Sequence, residues 1–83
     1  MPYIKQEDKE RFKILEEIYP DTPGELNYCL TKLCLNYLSN RKETNYGILN
    51  AIIGVLECCK QEFYRRKISE YENLKITENG DVY

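Results

Sequence analysis

The stretch NYGILNAIIGVLECCKQEFYRRK, residues 45–67, carries most of the structural information in this chain. Its apolar residues recur at three- and four-residue steps, which is typical of an α-helix. They form two stripes on different sides of that helix. The first stripe contains Tyr46, Leu49, Ile53, Leu56 and Phe63, and the second contains Ile48, Ile52, Val55 and Cys59. A helix that is apolar on two sides is covered on two sides, so we predict a homo-oligomer. The predicted oligomer interface comprises Ile48, Ile52, Gly54, Val55 and Cys59.

A third stripe of small and polar residues lies between the two apolar stripes. It contains Gly47, Asn50, Gly54, Glu57, Gln61 and Tyr64. Glycine inside a helix costs roughly 1 kcal/mol relative to alanine, so Gly54 indicates the close approach of another helix or of a ligand. The pattern alone leaves both readings open, a ligand pocket or a helix crossing with satisfied polar groups.

Two shorter helices are predicted before this stretch. The first runs from about Gln6 to Tyr19 and is stopped by Pro20. The second begins in the segment DTPGEL, where Thr22 is a favourable N-cap and Glu25, three residues later, completes a capping box. It is predicted to end at about Ser39.

The last ten residues, LKITENGDVY, differ in kind from the helices. Thr44 or Asn45 can cap the third helix, which is predicted to fray over residues 69–73. Asn79-Gly80 is a strong hairpin signal, and a hairpin would pair Ile76 with Val82. The alternative is an extended tail.

Length and composition limit the architecture further. The 83 residues fit a single all-α domain over residues 1–83, with three helices, the third longest, and a short C-terminal hairpin or extended tail. A chain of this size buries only about 60–65% of its unfolded surface, and oligomerisation is a usual remedy. Twelve Lys and Arg against 14 Asp and Glu argue against general nucleic-acid binding. The charged start, MPYIKQEDKE, is not a signal peptide, and no apolar run approaches the roughly 18 residues of a membrane helix. We expect a cytoplasmic protein without a membrane partner.

The residues that usually carry chemistry are scarce. Histidine is absent, and Cys29, Cys34, Cys58 and Cys59 lack the close spacing of zinc sites. We expect four reduced, mostly buried thiols, no metal and no cofactor. Without histidine, general acid–base catalysis would fall to carboxylates, Lys, Tyr or Cys, and no phosphate-binding glycine loop is present. We therefore expect no enzymatic activity.

The basic, aromatic end of the third helix is the best candidate for a binding site. Arginine presents forked donors that match phosphate and stacks on flat rings, and Arg65 follows Tyr64 directly. The predicted ligand-binding residues are Asn50, Glu57, Gln61, Tyr64 and Arg65. Arg65 would pair phosphates, Tyr64 would stack or donate its hydroxyl, and Asn50 or Glu57 would read a base or ribose. The alternative is a solvated end in which Glu62 pairs with Arg66 one turn away.

Four segments together resemble a family of very small uncharacterised proteins found in phage, prophage and bacterial genomes. They are the opening MPYIKQED, GELNYCLTKL, GVLECCKQEFYRR and the closing NGDVY. Members of that family tend to have proline before the tyrosine that matches Tyr71, whereas this chain has Glu70, which leaves the end of the third helix less sharply fixed.

The resemblance implies where such a protein acts, but it implies no catalytic residues. Small phage proteins often inhibit or divert a host process. We therefore expect a non-enzymatic, phage-type accessory protein in the host cytoplasm that acts as an anti-defence sponge. It would sequester a small, anionic, nucleotide-like immune signal at a subunit interface. The alternative is an interaction module that grips and inhibits or redirects a host protein through Ile48, Ile52 and Val55.

Overall fold

The computed structural model of this chain is all-helical. It describes residues 2–83, and these contain no β-strand. The elements in chain order are α1 (Gln6–Lys9), a 3₁₀ segment (Glu10–Glu17), α2 (Pro23–Ser39), α3 (Tyr46–Phe63), a π segment (Tyr64–Ile68) and α4 (Ser69–Asn79). Because α1 continues directly into the 3₁₀ segment, and α3 into the π segment and α4, the described residues form three helical stretches, of which the third is the longest. The predicted all-α, three-helix fold is confirmed.

The described chain forms two compact units. The first contains Pro2–Ile52 and the second contains Ile53–Tyr83, so the boundary falls within α3. The single domain over residues 1–83 stays a prediction. None of the helices among residues 2–83 has the length and apolar content needed to cross a membrane.

The first helical stretch is tighter and shorter than the sequence predicts. Only its first four residues are α-helical, and the rest is a 3₁₀ segment that ends at Glu17. Ile18 is already extended, with φ −105° and ψ 114°. Side chains three residues apart eclipse each other in a 3₁₀ helix, and Lys13 Nζ lies 2.9 Å from Glu10 Oε2 in that arrangement.

The start of α2 is the element that the sequence predicts most closely. The Thr22 hydroxyl accepts a 3.1 Å hydrogen bond from the Glu25 backbone N–H. The Glu25 carboxylate accepts a 3.0 Å bond from the N–H of Asp21, one residue before the cap. The helix spans Pro23–Ser39, as predicted. Asn45 caps α3 in the same way, because its side chain accepts a 3.0 Å bond from the Ile48 N–H.

The half-buried residues of the first unit lie on α2 and on the start of α3. They are Cys29, Cys34, Leu38, Ile48 and Ile52. The leucines that the periodicity places on the inner face of α2, such as Leu26 and Leu30, are more exposed than Cys29 and Cys34. Cys29, Cys34 and Leu38 are therefore the most covered residues of α2.

The C-terminal hairpin predicted at Asn79-Gly80 is wrong. Ile76 and Asn79 belong to α4, so Ile76 cannot pair with Val82 in a β-ladder. Gly80 instead ends the helix: its N–H donates a 2.8 Å bond to the Ile76 carbonyl, and its φ of 88° lies in the region that favours glycine. Only the last three residues, Asp81–Tyr83, follow as a short tail without regular secondary structure. The predicted fraying over residues 69–73 is also wrong, because α4 continues through Glu70, where proline would end it.

None of the described residues is fully buried. Large apolar side chains are exposed in both units.

Candidate functional site

A π segment lies at the basic, aromatic end that the sequence singles out. Tyr64–Ile68 has π geometry, and the Ser69 N–H donates to the Tyr64 carbonyl, five residues back. Short π-helical turns inside α-helices are rare and occur frequently at functional sites. This one contains Tyr64, Arg65, Arg66 and Lys67, and it lies wholly within the second unit.

The Tyr64 side chain is held by a carboxylate of α4. Its hydroxyl donates a 2.9 Å hydrogen bond to Glu72 Oε1. This hydrogen bond, and the negative charge of Glu72, raise the pKa of Tyr64 above its usual value. The contact fixes the hydroxyl and leaves the ring half exposed.

Glu57 is exposed and paired along the helix. The Gln61 side-chain amide donates a 3.1 Å hydrogen bond to Glu57 Oε1, and Lys60 Nζ lies 3.2 Å from the same oxygen. The hydrogen bond from Gln61, followed by the hydrogen bond and charge of Lys60, lowers the pKa of Glu57 below its usual value. The carboxylate is therefore ionised at neutral pH and lies where solvent, or a ligand, reaches it.

Two arginines share a single carboxylate oxygen. Arg65 Nη2 and Arg66 Nε lie 2.8 Å and 3.1 Å from Glu62 Oε1. The Glu62 side chain is only 28% exposed, whereas both arginines are largely exposed. Lys67, the third basic residue, makes no ion pair with any of residues 2–83. Glu62 thus contacts two of the three consecutive basic residues of the π segment.

The structure brings together some of the predicted ligand-binding residues. Glu57 and Gln61 contact each other directly, whereas Tyr64 and Arg65 are adjacent but held by different carboxylates. Asn50 lies on α3 in the first unit and is exposed. All five assignments stay predictions.

The sequence predicts only part of this arrangement. The four-residue spacing favours a Glu62–Arg66 pair, but it does not place Arg65 on the same oxygen. Glu72 was not predicted, because its eight-residue separation from Tyr64 matches no regular helical contact. The π segment itself has no signal in the sequence.

The predicted interface residues divide between the two units. Ile48 and Ile52 are half-buried in the first unit, and Gly54, Val55 and Cys59 are exposed in the second. A Cβ atom added at Gly54 would meet nothing within 4 Å among the described residues, apart from its chain neighbours and its own helix backbone. The described chain therefore gives no steric reason for glycine there.

The cysteines are free thiols, but they are less covered than predicted. Cys29 and Cys34 are half-buried, whereas Cys58 and Cys59 are exposed. The expectation of mostly buried thiols is wrong for this adjacent pair, because nothing in the described chain covers α3 there. No group of three or more Cys, Asp or Glu side chains able to hold a metal ion occurs in residues 2–83.

A shallow cavity of about 360 Å³ lies where the tail follows α4. Its lining includes Glu72, Lys75, Asp81 and Tyr83. Lys75 is already paired with Glu78 at 3.1 Å, and the Tyr83 N–H donates a 2.9 Å bond to the Asp81 side chain. The cavity is lined by exposed residues, so it adds no buried polar group to the site.

Comparison with known protein families gives one match. Residues 1–82 match the model of a domain of unknown function, DUF6899. The chain belongs to this family. Membership confirms that the sequence resembles a small uncharacterised family, and it covers nearly the whole chain. No curated protein and no solved structure matches the chain.

Proposed function

We propose that this DUF6899 protein is a non-enzymatic, oligomeric binding protein that sequesters a small anionic, nucleotide-like molecule at a subunit boundary. The observation that carries the proposal is the π segment. It presents Tyr64 next to Arg65, Arg66 and Lys67, of which the two arginines contact Glu62. In this proposal the protein is encoded by a phage, and it acts in the host cytoplasm by binding an immune signal.

The chemistry of the segment suits a phosphate attached to a flat ring. Guanidinium groups bind phosphate through two parallel hydrogen bonds, and they stack on aromatic faces. Arg65 is exposed and its bond to Glu62 is a surface ion pair, which contributes little to stability. Exchange of that carboxylate for a ligand phosphate therefore costs the fold little.

The other residues have complementary roles. The bond to Glu72 fixes the Tyr64 hydroxyl and keeps the phenol neutral, which leaves the ring face for a base. Glu57, ionised and held by Gln61, would accept hydrogen bonds from ribose hydroxyls or an exocyclic amine. A second subunit would supply the walls that the exposed helix lacks.

Substitution of Arg65 tests the proposal. We expect Arg65→Ala to weaken binding about 10- to 100-fold, because a hydrogen bond to a charged group contributes roughly 1.5–3 kcal/mol. Isothermal titration calorimetry against a fixed panel of mono-, di- and cyclic nucleotides would measure the affinity. Arg66→Ala is the matched control, because it removes the same charge from the same carboxylate. Unchanged affinity in an Arg65→Ala variant that keeps its oligomeric state would contradict the proposal.

The exposure of α3 favours a second candidate function, binding to a host protein. Val55 is 65% exposed, whereas Ile48 and Ile52 of the same apolar stripe are half-buried. This candidate predicts a monomer or loose dimer that binds a host protein in fixed stoichiometry. The Ile52→Asp substitution should abolish that binding. A tight oligomer that does not dissociate on dilution favours the first candidate.

A further inference from the structure

We propose that Asn79 is a site of spontaneous covalent modification, at which the backbone nitrogen of Gly80 attacks the Asn79 side chain and converts it to aspartate or isoaspartate. The last turn of α4 sets the rate of this reaction. Asn79-Gly80 is the dipeptide that the sequence singles out as a hairpin turn and that the structure places at a helix end. The reaction involves no ligand and no partner, so it is independent of the proposed function.

The chemistry needs only water. The Gly80 nitrogen loses its proton and forms a bond to the side-chain carbonyl carbon of Asn79, and the side-chain nitrogen takes up a proton and leaves as ammonia. Water then opens the resulting five-membered imide. Cleavage at the side-chain carbonyl gives aspartate. Cleavage at the main-chain carbonyl gives isoaspartate, in which the backbone runs through the former side chain.

Asn79 is the asparagine of this chain that is best placed to react. Glycine follows it, whereas every other asparagine is followed by a residue with a side chain, which crowds the attacking nitrogen. Asn79 is also exposed, and its side-chain amide makes no hydrogen bond with the rest of the described chain. The carbonyl carbon under attack is therefore open to the nitrogen, and water reaches the imide that forms.

The helix end restrains the attacking nitrogen. The Gly80 N–H donates a 2.8 Å hydrogen bond to the Ile76 carbonyl, and this bond closes the last turn over residues 77–79. In a regular helix ψ is about −42°, which rotates the nitrogen of the next residue out of line with the side chain. Closure of the five-membered ring therefore requires that the Gly80 bond breaks and that Asn79 leaves its helical conformation.

Little else holds this last turn in place. Within residues 2–83, Asp81 and Val82 donate no backbone hydrogen bond to α4, so the helix lacks the further bond that closes many helix ends after a glycine. Helix termini open locally at a free-energy cost far below that of global unfolding. We therefore expect the folded protein to react at Asn79 through this opened turn, more slowly than the unfolded chain does.

The modification changes both the charge and the length of α4. Each product carries a carboxylate at position 79, between Glu78 and Asp81, where negative charge opposes the helix dipole. Isoaspartate also adds a methylene group to the backbone, which disrupts the spacing that the bond from Gly80 to Ile76 requires. Because ammonia is lost, the chain does not revert to asparagine, and the second unit acquires a lasting second form.

Incubation of the full-length protein at neutral pH tests the proposal. Peptide mass spectrometry with electron-transfer fragmentation would measure conversion at each asparagine and separate aspartate from isoaspartate. Asn73 is the internal control, because it lies in the same helix and is followed by Leu74. The same protein in urea gives the rate without the helix. We expect Asn79 to convert before Asn73 in the folded protein, to a mixture of both products, and to convert faster in urea.

Two substitutions at Thr77 test control by the last turn. Thr77→Gly and Thr77→Ala both remove the hydroxyl that donates to the Asn73 carbonyl, and both leave Asn79-Gly80 unchanged. We expect conversion to be about fivefold faster in the folded Thr77→Gly variant, because glycine costs a helix roughly 1 kcal/mol relative to alanine. In urea the two variants should react at the same rate. A folded protein that does not convert at Asn79, one that converts as fast as in urea, or equal rates in the two folded variants would overturn the proposal.

Discussion

The Tyr64 hydroxyl donates a 2.9 Å hydrogen bond to Glu72 Oε1, eight residues further along the helix. Eight residues of a regular α-helix end about 80° away from their starting side. The π segment that begins at Tyr64 takes up this excess, because its wider turn holds an extra residue. The bond therefore connects the first residue of the π segment to α4 and provides a direct probe of the irregular turn between them.

Replacement of Glu72 tests this connection. Glu72→Gln removes the negative charge that raises the pKa of Tyr64, so we expect that pKa to fall toward the ordinary tyrosine value. Because folding raises the pKa, the stabilisation is present below the unfolded value and is lost as pH rises through the folded one. Ultraviolet titration of phenolate, with Tyr64→Phe to identify the signal, would measure the shift. An identical titration curve for Glu72→Gln would show that the contact does not form.

The N-terminal cap of α2 gives a stability prediction. Thr22→Ala removes the acceptor of the Glu25 N–H, and we expect a loss of about 0.5–2 kcal/mol in the free energy of unfolding. Thr31→Ala makes the same change within the same helix, where the hydroxyl donates only to an exposed Asn27 side chain. Urea unfolding at one fixed protein concentration would measure the free energy of unfolding of both variants. Equal losses would mean that the cap contributes nothing specific.

Gly54 gives a prediction about the predicted oligomer interface. Alanine at this position fits the described chain and should strengthen the helix by roughly 1 kcal/mol. If a neighbouring subunit approaches Gly54 closely, the added methyl group instead weakens association. We expect Gly54→Ala to lower the melting temperature most at low protein concentration. A rise in melting temperature that is independent of concentration would contradict a close approach there.

The adjacent thiols Cys58 and Cys59 report on the same interface. Both are exposed in the single chain, but only Cys59 belongs to the predicted interface. We therefore expect an alkylating reagent to modify Cys58 first and Cys59 slowly, until the oligomer is diluted apart. Timed alkylation followed by peptide mass spectrometry would measure both rates. Equal rates at high protein concentration would remove Cys59 from the interface.

Local signals predicted the parts of the fold that depend on local chemistry. Thr22 and Glu25 specify the start of α2 because a capping box needs only residues within one turn. Asn79-Gly80 shows the limit of such signals. A glycine with positive φ serves a hairpin turn and a helix C-terminus equally well, and at Gly80 the helix end prevails.

The candidate site was less predictable for a different reason. Residue type and spacing drew attention to Tyr64 and Arg65, because their chemistry is visible in the sequence. The partner of Tyr64 depends on a change of hydrogen-bond register at the π segment, and no residue type specifies that change. Glu72 therefore emerged only from the structure. The exposure of Cys58 likewise depends on packing around α3, which spacing alone does not give.

Native mass spectrometry of the protein purified directly from cells, across a range of concentrations, tests the central claim most directly. It measures subunit number and any bound small molecule in the same spectrum. The account predicts a defined oligomer that persists on dilution and carries an adduct of nucleotide mass, lost in Arg65→Ala. A bare monomer at every concentration would contradict both the self-association and the binding site.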